Sequence, residues 1–121
     1  MRDISTRDDL LFLMEQFYQK LLNDKTIGYI FTDVAHINLE KHLPILADFW
    51  EQTLFYRGGY KNNVLQIHQD LHQKESLTKA YFDTWLMHFN ATVNENFEGE
   101  FAEKIKVRAL SIATVMQLKM L

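Results

Sequence analysis

The chain has 121 residues, a hydrophobic fraction of 47% and a charged fraction of 24%, which is the size and composition of one folded domain with a single core. Its formal net charge of −3, without a run of lysine and arginine, argues against nucleic acid as a partner. The absence of cysteine excludes disulfides, thiolate metal sites, thiol nucleophiles and cofactor attachment through a CxxCH motif.

The amino terminus predicts neither export nor membrane insertion. Residues 1–5 contain no apolar run like that of a signal peptide, and the apolar run over residues 10–14 is too short to span a bilayer. We therefore expect a cytoplasmic protein without a membrane partner. With only four glycines and one proline, the composition favours a few long helices over many short strands.

The first predicted helix begins after Thr6, which suits an N-cap position, and ends at residues 23–24. Its apolar stripe at helical spacing consists of Leu11, Met14, Phe17, Tyr18 and Leu21. The apolar segment 27–31 predicts a turn or two of helix. The more polar segment 32–38 predicts a loop.

A second long helix is predicted from residue 38 or 39 to about Leu54. Pro44 falls in its first turns, where a missing N–H group is tolerated. Its apolar face is formed by Leu39, His42, Leu43, Leu46, Phe49, Trp50 and Leu54.

A glycine pair, Gly58 and Gly59, predicts a break after this helix. Asn62 and Asn63 then lead into a short helix over residues 64–72. The short helix is therefore separated in sequence from the long one before it.

Ser76 or Thr78 is the predicted N-cap of a strongly aromatic helix that extends to Val93. Gly99 separates it from a last helix over residues 100–120. The residues expected to face inward on that helix are Ile105, Ala109, Ile112, Val115, Met116 and Leu118. The chain therefore predicts five or six helices and no strand, an all-α fold.

Two of the five histidines lie on apolar helical faces. His42 shares its face with Leu39, Leu46 and Phe49. His68 has Val64, Leu65 and Leu71 beside it at helical offsets. A buried imidazole needs a hydrogen-bond partner or a ligand. Two histidines that face each other across an apolar gap suit a flat apolar cofactor with iron at its centre, since haem iron is commonly held by one imidazole.

Two polar aromatic side chains lie on other inward faces. Tyr18 shares a stripe with Leu11, Met14 and Leu21, and Trp85 shares one with Phe82 and Phe89. A buried phenol or indole must find a hydrogen-bond acceptor, and a diatomic ligand held at an iron centre is one such acceptor. Ordinary core aromatics with local partners are the alternative interpretation.

A zinc site is a rival interpretation of His68 and His72, which are four residues apart on one helix. The residues between them, Gln69, Asp70 and Leu71, lack the glutamate of an HExxH protease, and no third ligand is identifiable. A glycine-rich phosphate loop and a GxSxG elbow are both absent, so kinase, dinucleotide and hydrolase functions have no support.

The order and spacing of short motifs from about Asp3 to Leu118 resemble group III of the truncated haemoglobins. The motifs are Phe17-Tyr18, Ile27-Gly28-Tyr29-Ile30-Phe31, His42-Leu43-Pro44, Phe49-Trp50-Glu51, Tyr60, His68-Gln69-Asp70-Leu71-His72 and Phe82-Asp83-Thr84-Trp85-Leu86. This resemblance implies one truncated globin domain over residues 1–121, a two-over-two helical sandwich around one non-covalent haem b.

By the same resemblance, His68 is the proximal iron ligand and Phe31 is the phenylalanine that wedges the haem. Tyr18, His42 and Trp85 match the distal residues that meet the ligand. The side chains expected to line the pocket, partly from helical offsets, are Leu46, Phe49, Leu65 and Phe89. Candidates for contacts with the haem propionates are Arg57, Tyr60 and His72. No residue is assigned a catalytic role.

The implied function is binding of a diatomic ligand, namely dioxygen, nitric oxide or carbon monoxide, at a histidine-ligated iron. Nitric-oxide dioxygenase or peroxidase-like chemistry extends this hypothesis, with a reductase as a candidate partner, and whether the protein is an enzyme stays open. The alternative is a haem-free, globin-like helical module for protein interaction or regulation.

Overall fold

The structure is a computed structural model that describes residues 1–58, 60 and 63–120. Gly59 and Asn62, which the sequence analysis placed in the break before the short helix, lie outside these residues. Over the described ranges the chain forms helices and connecting turns without a strand, which confirms the all-α prediction. None of the helices described combines the length and the apolar character that a membrane span requires.

Five α-helices and one π-helix follow one another along the described chain. They are α1 Arg7–Asn23, the π-helix Ile30–Val34, α2 Leu39–Phe55, α3 Val64–Lys74, α4 Lys79–Asn96 and α5 Glu100–Lys119. The α-helix boundaries agree with the predicted ones to within a few residues. The loop predicted over residues 32–38 is wrong for its first residues, because they belong to the π-helix. The wide turn of this helix is closed by Ala35 N–H, which donates to the Ile30 carbonyl at 2.8 Å.

Side-chain caps fix the starts of four α-helices. The caps are Thr6 for α1, Asn38 for α2, Asn63 for α3 and Thr78 for α4. Each cap oxygen accepts a hydrogen bond from a backbone N–H of the first turn that has no partner within the helix. Thr78, rather than Ser76, is therefore the N-cap of α4.

Helices α1, α2, α4 and α5 form the packed body of the molecule, in which α1 packs on α2 and α4, and α4 packs on α5. The largest fully buried side chains between them include Phe17, Leu21, Leu54, Phe89 and Ile105. The inward orientation predicted for Val115 and Leu118 is wrong, since these side chains are 51% and 66% exposed. The buried row of α5 follows a spacing of three and four residues through Ile105, Ala109, Ala113 and Met116, which leaves Val115 and Leu118 on the opposite side.

Helix α3 differs from the other α-helices because it has no buried residue. Its apolar residues Val64, Leu65 and Leu71 are only half-buried, and Ile67 is 49% exposed. An amphipathic helix normally covers its apolar face with protein. The apolar face of α3 packs only partly against the core, and the rest of it borders the cavity described below.

The start of α5 is capped by a residue from the beginning of the chain. Gly99, the residue before α5, offers no side chain, and the Asp3 carboxylate accepts hydrogen bonds from the N–H groups of Phe101 at 2.9 Å and Ala102 at 2.8 Å. A Cβ atom on Gly99 would lie 2.5 Å from Cγ of Asp3, so glycine leaves room for the carboxylate. Burial opposes ionisation of Asp3, but the backbone hydrogen bonds outweigh it and hold its pKa below the usual value.

We predict that Asp3→Ala lowers the free energy of unfolding by about 1–2 kcal/mol at pH 7, because two N–H groups at the start of α5 lose their acceptor. Because the pKa of Asp3 is lowered in the folded state, its contribution is complete above the unfolded pKa of about 4 and is lost as the pH falls through the folded value. The difference in melting temperature between wild type and variant should therefore narrow in acid.

Circular dichroism melts at pH 7 and at pH 3 measure this difference. The exposed Asp33 supplies a matched control, since Asp33→Ala removes a carboxylate far from α5 in sequence and should leave both melting temperatures close to those of the wild type. A wild-type melting temperature for Asp3→Ala at pH 7 would show that the cap contributes nothing.

Candidate functional site

An apolar cavity of about 640 Å³ lies between α2 and α3 and extends inward to side chains of α1, α4 and α5. Its volume is in the range of cavities that hold small molecules and cofactors. The inner wall is built from buried residues, among them Met14, Phe17, Phe31, Trp50, Tyr81, Ala113 and Met116. The rim carries exposed residues, namely Asn38, Lys41, Ile45, Ile67, Asp70 and Lys74, so the cavity opens to solvent between α2 and α3.

The cavity-facing residues of α2 and α3 repeat at helical intervals. On the α2 side they include Asn38, Lys41, His42, Ile45, Leu46, Phe49 and Trp50, and on the α3 side they include Val64, Ile67, His68, Leu71 and Lys74. Residues three and four apart share one face of a helix, so each helix presents one row to the cavity. Each row contains one histidine.

His68 is held in one orientation by its own helix. Its Nδ1 lies 2.8 Å from the carbonyl oxygen of Val64, one turn earlier, so Nδ1–H donates to that oxygen. This assignment leaves Nε2 with its lone pair as the nitrogen available to a ligand. Burial lowers the pKa of His68, against the opposing effect of the hydrogen bond, and so favours the neutral imidazole that metal binding requires.

Tyr18 and His42 form a hydrogen-bonded pair on the other side of the cavity. The Tyr18 hydroxyl oxygen lies 3.2 Å from Nε2 of His42. Burial raises the pKa of the Tyr18 phenol well above its usual value, so the phenol keeps its proton. Burial also lowers the pKa of His42 and so favours its neutral imidazole.

Packed aromatic rings hold the remaining polar side chain of this wall. The ring of Trp85 meets Phe17 edge-on at 5.2 Å between centroids and stacks on Phe89 at 5.3 Å. Phe31 meets Tyr18 edge-on at 5.8 Å and stacks on Tyr81 at 6.2 Å. Such contacts restrict the rings to one arrangement, so Tyr18 and Trp85 present their donors to the cavity from fixed positions.

The structure brings seven of the nine predicted site residues to the cavity: Tyr18, Phe31, His42, Leu46, Phe49, His68 and Trp85. Phe89 and Leu65 do not line it, which corrects the expectation from helical offsets. Phe89 lies one turn beyond Trp85 on α4 and packs behind it, against Phe17 and Trp50. Leu65 lies to the side of the row that contains Val64 and His68 and packs against the core instead.

Several lining residues were not predicted, although the periodicity placed most of them in the core. These are Met14, Phe17, Trp50, Tyr81, Ile112 and Met116. Periodicity shows which way a side chain points, but it does not distinguish a neighbour made of protein from a cavity. The signal that could have found them is the excess of large inward aromatics in a chain of this length.

His72 and Arg57 lie outside the cavity lining. Nδ1 of His72 accepts a hydrogen bond from the N–H of Leu77 at 2.9 Å, so the imidazole is used to stabilise the end of α3. No group of three potential ligands for a metal ion occurs within the described ranges, so the zinc interpretation of His68 and His72 gains no third ligand. The Arg57 guanidinium is exposed and lies over the ring of Phe55, at 5.2 Å from its centroid.

The donor set and the lining fit a haem. A haem is flat and mostly apolar, and its iron binds neutral imidazole, for which His68 has a free Nε2. Ile45 is 39% exposed and Ile67 is 49% exposed at the rim, on the two helices that face each other. A flat apolar group between α2 and α3 would cover both side chains together with the apolar face of α3.

Comparisons with known proteins agree with this geometry. No protein-family model matches the chain. A group 3 truncated hemoglobin of Campylobacter jejuni is 30% identical over 114 residues, which cover 92% of this chain and 87% of the relative. The crystal structure of a group III truncated hemoglobin from Campylobacter jejuni is similar over 100% of this chain and 96% of that chain, with a TM-score of 0.88 and 26% identity.

Proposed function

Because the chain belongs to the group III truncated haemoglobins, we propose that it binds haem b without a covalent link in the cavity between α2 and α3, with His68 as the iron ligand. The observation that carries this proposal is the state of His68, which lines an apolar cavity with Nδ1 bonded to the Val64 carbonyl and Nε2 free. When bound, haem supplies an iron that takes up a diatomic ligand such as dioxygen, nitric oxide or carbon monoxide.

Val64 acts on the iron ligand through the hydrogen bond to His68. A carbonyl that accepts from Nδ1–H fixes the orientation of the imidazole ring and increases the basicity of Nε2. The position of this carbonyl follows from the helical geometry of α3, since residues four apart lie one above the other. The orientation of the His68 imidazole is therefore set by a hydrogen bond within α3.

Tyr18, His42 and Trp85 provide the polar groups on the opposite side of the cavity. The Tyr18 phenol keeps its proton, its oxygen lies 3.2 Å from Nε2 of His42, and the Trp85 indole also lines the cavity. The phenol can donate to a ligand when Nε2–H of His42 donates to the phenol oxygen, and the indole N–H is a second donor. The space is poorly solvated, where such bonds are stronger than in water. Donors that hold the ligand slow its escape.

Slow escape suits chemistry on the ligand better than transport, because transport requires unloading. We therefore include oxidation of nitric oxide and reduction of peroxide in the proposal as reactions of this site. Either reaction consumes reducing equivalents, so a reductase is the partner class that fits. A haem-free interaction module is the weaker candidate, because it would leave the apolar face of α3 only partly covered, with Ile67 49% exposed.

We predict that His68→Ala abolishes stable haem uptake, whereas His72→Ala retains it. The reason is that His68 lines the cavity with a free Nε2, while His72 lies outside it and accepts from Leu77. Titration of each apoprotein with haemin, followed by the Soret band before and after dithionite and carbon monoxide, measures uptake.

Circular dichroism of both variants shows whether the helices are retained. Equal loss of haem uptake from two folded variants would contradict the assignment of His68. Wild-type uptake by His68→Ala would contradict it equally.

We predict that Tyr18→Phe increases the dissociation rate of dioxygen from the haem-loaded protein. Loss of one hydrogen bond of about 1–2 kcal/mol corresponds to an increase of roughly 5- to 30-fold. Stopped-flow displacement of dioxygen by carbon monoxide measures this rate. Tyr29→Phe is the matched control, because it removes an exposed phenol that does not line the cavity, and it should leave the rate unchanged. An unchanged rate in Tyr18→Phe would remove Tyr18 from the distal role.

A further inference from the structure

The cavity has an aromatic end and a charged end, because α2 and α3 run in opposite directions across it. The rings of Phe49, late in α2, and Tyr60, just before α3, meet at 5.3 Å between centroids. His42, early in α2, and His68, further along α3, line the same cavity. Phe49 and Tyr60 meet near the connection between the two helices, and both helices line the cavity along their length. The two helices are therefore antiparallel, so the beginning of α2 lies opposite the end of α3.

The same correspondence places Lys41 and Lys74 at one end of the cavity. Lys41 lies in the first turn of α2, and Lys74 is the last residue of α3. Both side chains are exposed and both line the cavity. The opposite end is formed by aromatic rings, namely Phe49, Trp50 and Tyr60.

The charged end is cationic. Among residues 1–58, 60 and 63–120, no carboxylate lies within ion-pair distance of the ammonium group of Lys41 or Lys74. Asp70 also lines the cavity there, and it accepts a hydrogen bond from the Gln66 amide at 2.8 Å. Two lysines against one aspartate leave a net positive charge at the rim, where an anionic group of a cofactor would be stabilised.

We infer that Lys41 and Lys74 bind the two carboxylates of the haem and so fix which edge of it faces solvent; this rests on the proposed function. Haem b carries both carboxylates on one edge, and its other edges are apolar. The apolar edges then lie against Phe49 and Tyr60, and the carboxylates reach the two ammonium groups at the rim. The three candidates named from the sequence are replaced, since Tyr60 lies at the aromatic end and neither Arg57 nor His72 lines the cavity.

The test compares haem loss from the wild type and from the double variant Lys41→Gln/Lys74→Gln, with haem transferred to an excess of a scavenging apomyoglobin at low ionic strength. Loss of two exposed ion pairs is expected to accelerate haem loss by roughly 5- to 20-fold. Both lysines are exposed, so the substitutions should leave the fold intact. Lys25→Gln, a substitution of an exposed lysine outside the cavity lining, should release haem at the wild-type rate.

The same measurement with iron protoporphyrin IX dimethyl ester isolates the carboxylates. The ester has no charged edge, so wild type and double variant should release it at equal rates. If the double variant lost haem at the wild-type rate, the inference would be overturned, while the proposed function would stand. Equal acceleration for haem and ester would also overturn it, because the lysines would then act without the carboxylates. Failure of the wild type to bind either compound would overturn the proposed function and, with it, this inference.

Discussion

The incompletely covered apolar face of α3 is the constraint on which the account of this site depends. An isolated helix of 11 residues is marginal in water, and most helices in proteins are stabilised by burying an apolar face. Helix α3 has an apolar row but no buried residue, and that row lines a cavity. A group that fills the cavity therefore completes the hydrophobic packing of α3, and the same group meets His68 in the middle of the row.

The two sides of the cavity are built differently. The distal side belongs to the packed body, where the rings of Phe17, Trp85 and Phe89 contact one another and hold their neighbours in place. The Arg7 guanidinium also joins α1 to α2 through hydrogen bonds to Asp48 at 2.7 Å and to the Pro44 carbonyl at 3.2 Å. Tyr18 and Trp85 are therefore positioned by protein alone, whereas His68, the proposed iron ligand, lies on a helix that the proposed haem would help to pack.

Most of the fold follows from local sequence signals. Caps such as Thr6 and Asn38 and the helical spacing of apolar residues predict where helices begin and which face is buried. The polar composition of the segment after Phe31 predicts a loop, because composition does not distinguish a π-helix from irregular structure. Val115 and Leu118 were placed inward because an apolar side chain does not by itself show that a helix face is covered.

The site required both residue pattern and tertiary structure. Periodicity and resemblance together predict site roles for Tyr18, His42, His68 and Trp85, and the structure places these side chains on the cavity lining. Long-range packing decides which of the other inward side chains line the cavity. Phe89, for example, lies behind Trp85 because α1, α2 and α4 meet there and bring Phe17 and Trp50 against its ring. The antiparallel arrangement of α2 and α3, which sets the two ends of the cavity, also has no local sequence signal.

Amide hydrogen exchange of the apoprotein and the haem-loaded protein tests the central claim most directly. The account predicts that haem binding strongly slows exchange across α3, Val64–Lys74, while exchange in the buried part of α1 changes little, because α1 is packed by protein in either state. Equal protection of α3 in both forms would show that its apolar face needs no cofactor, and would contradict the account.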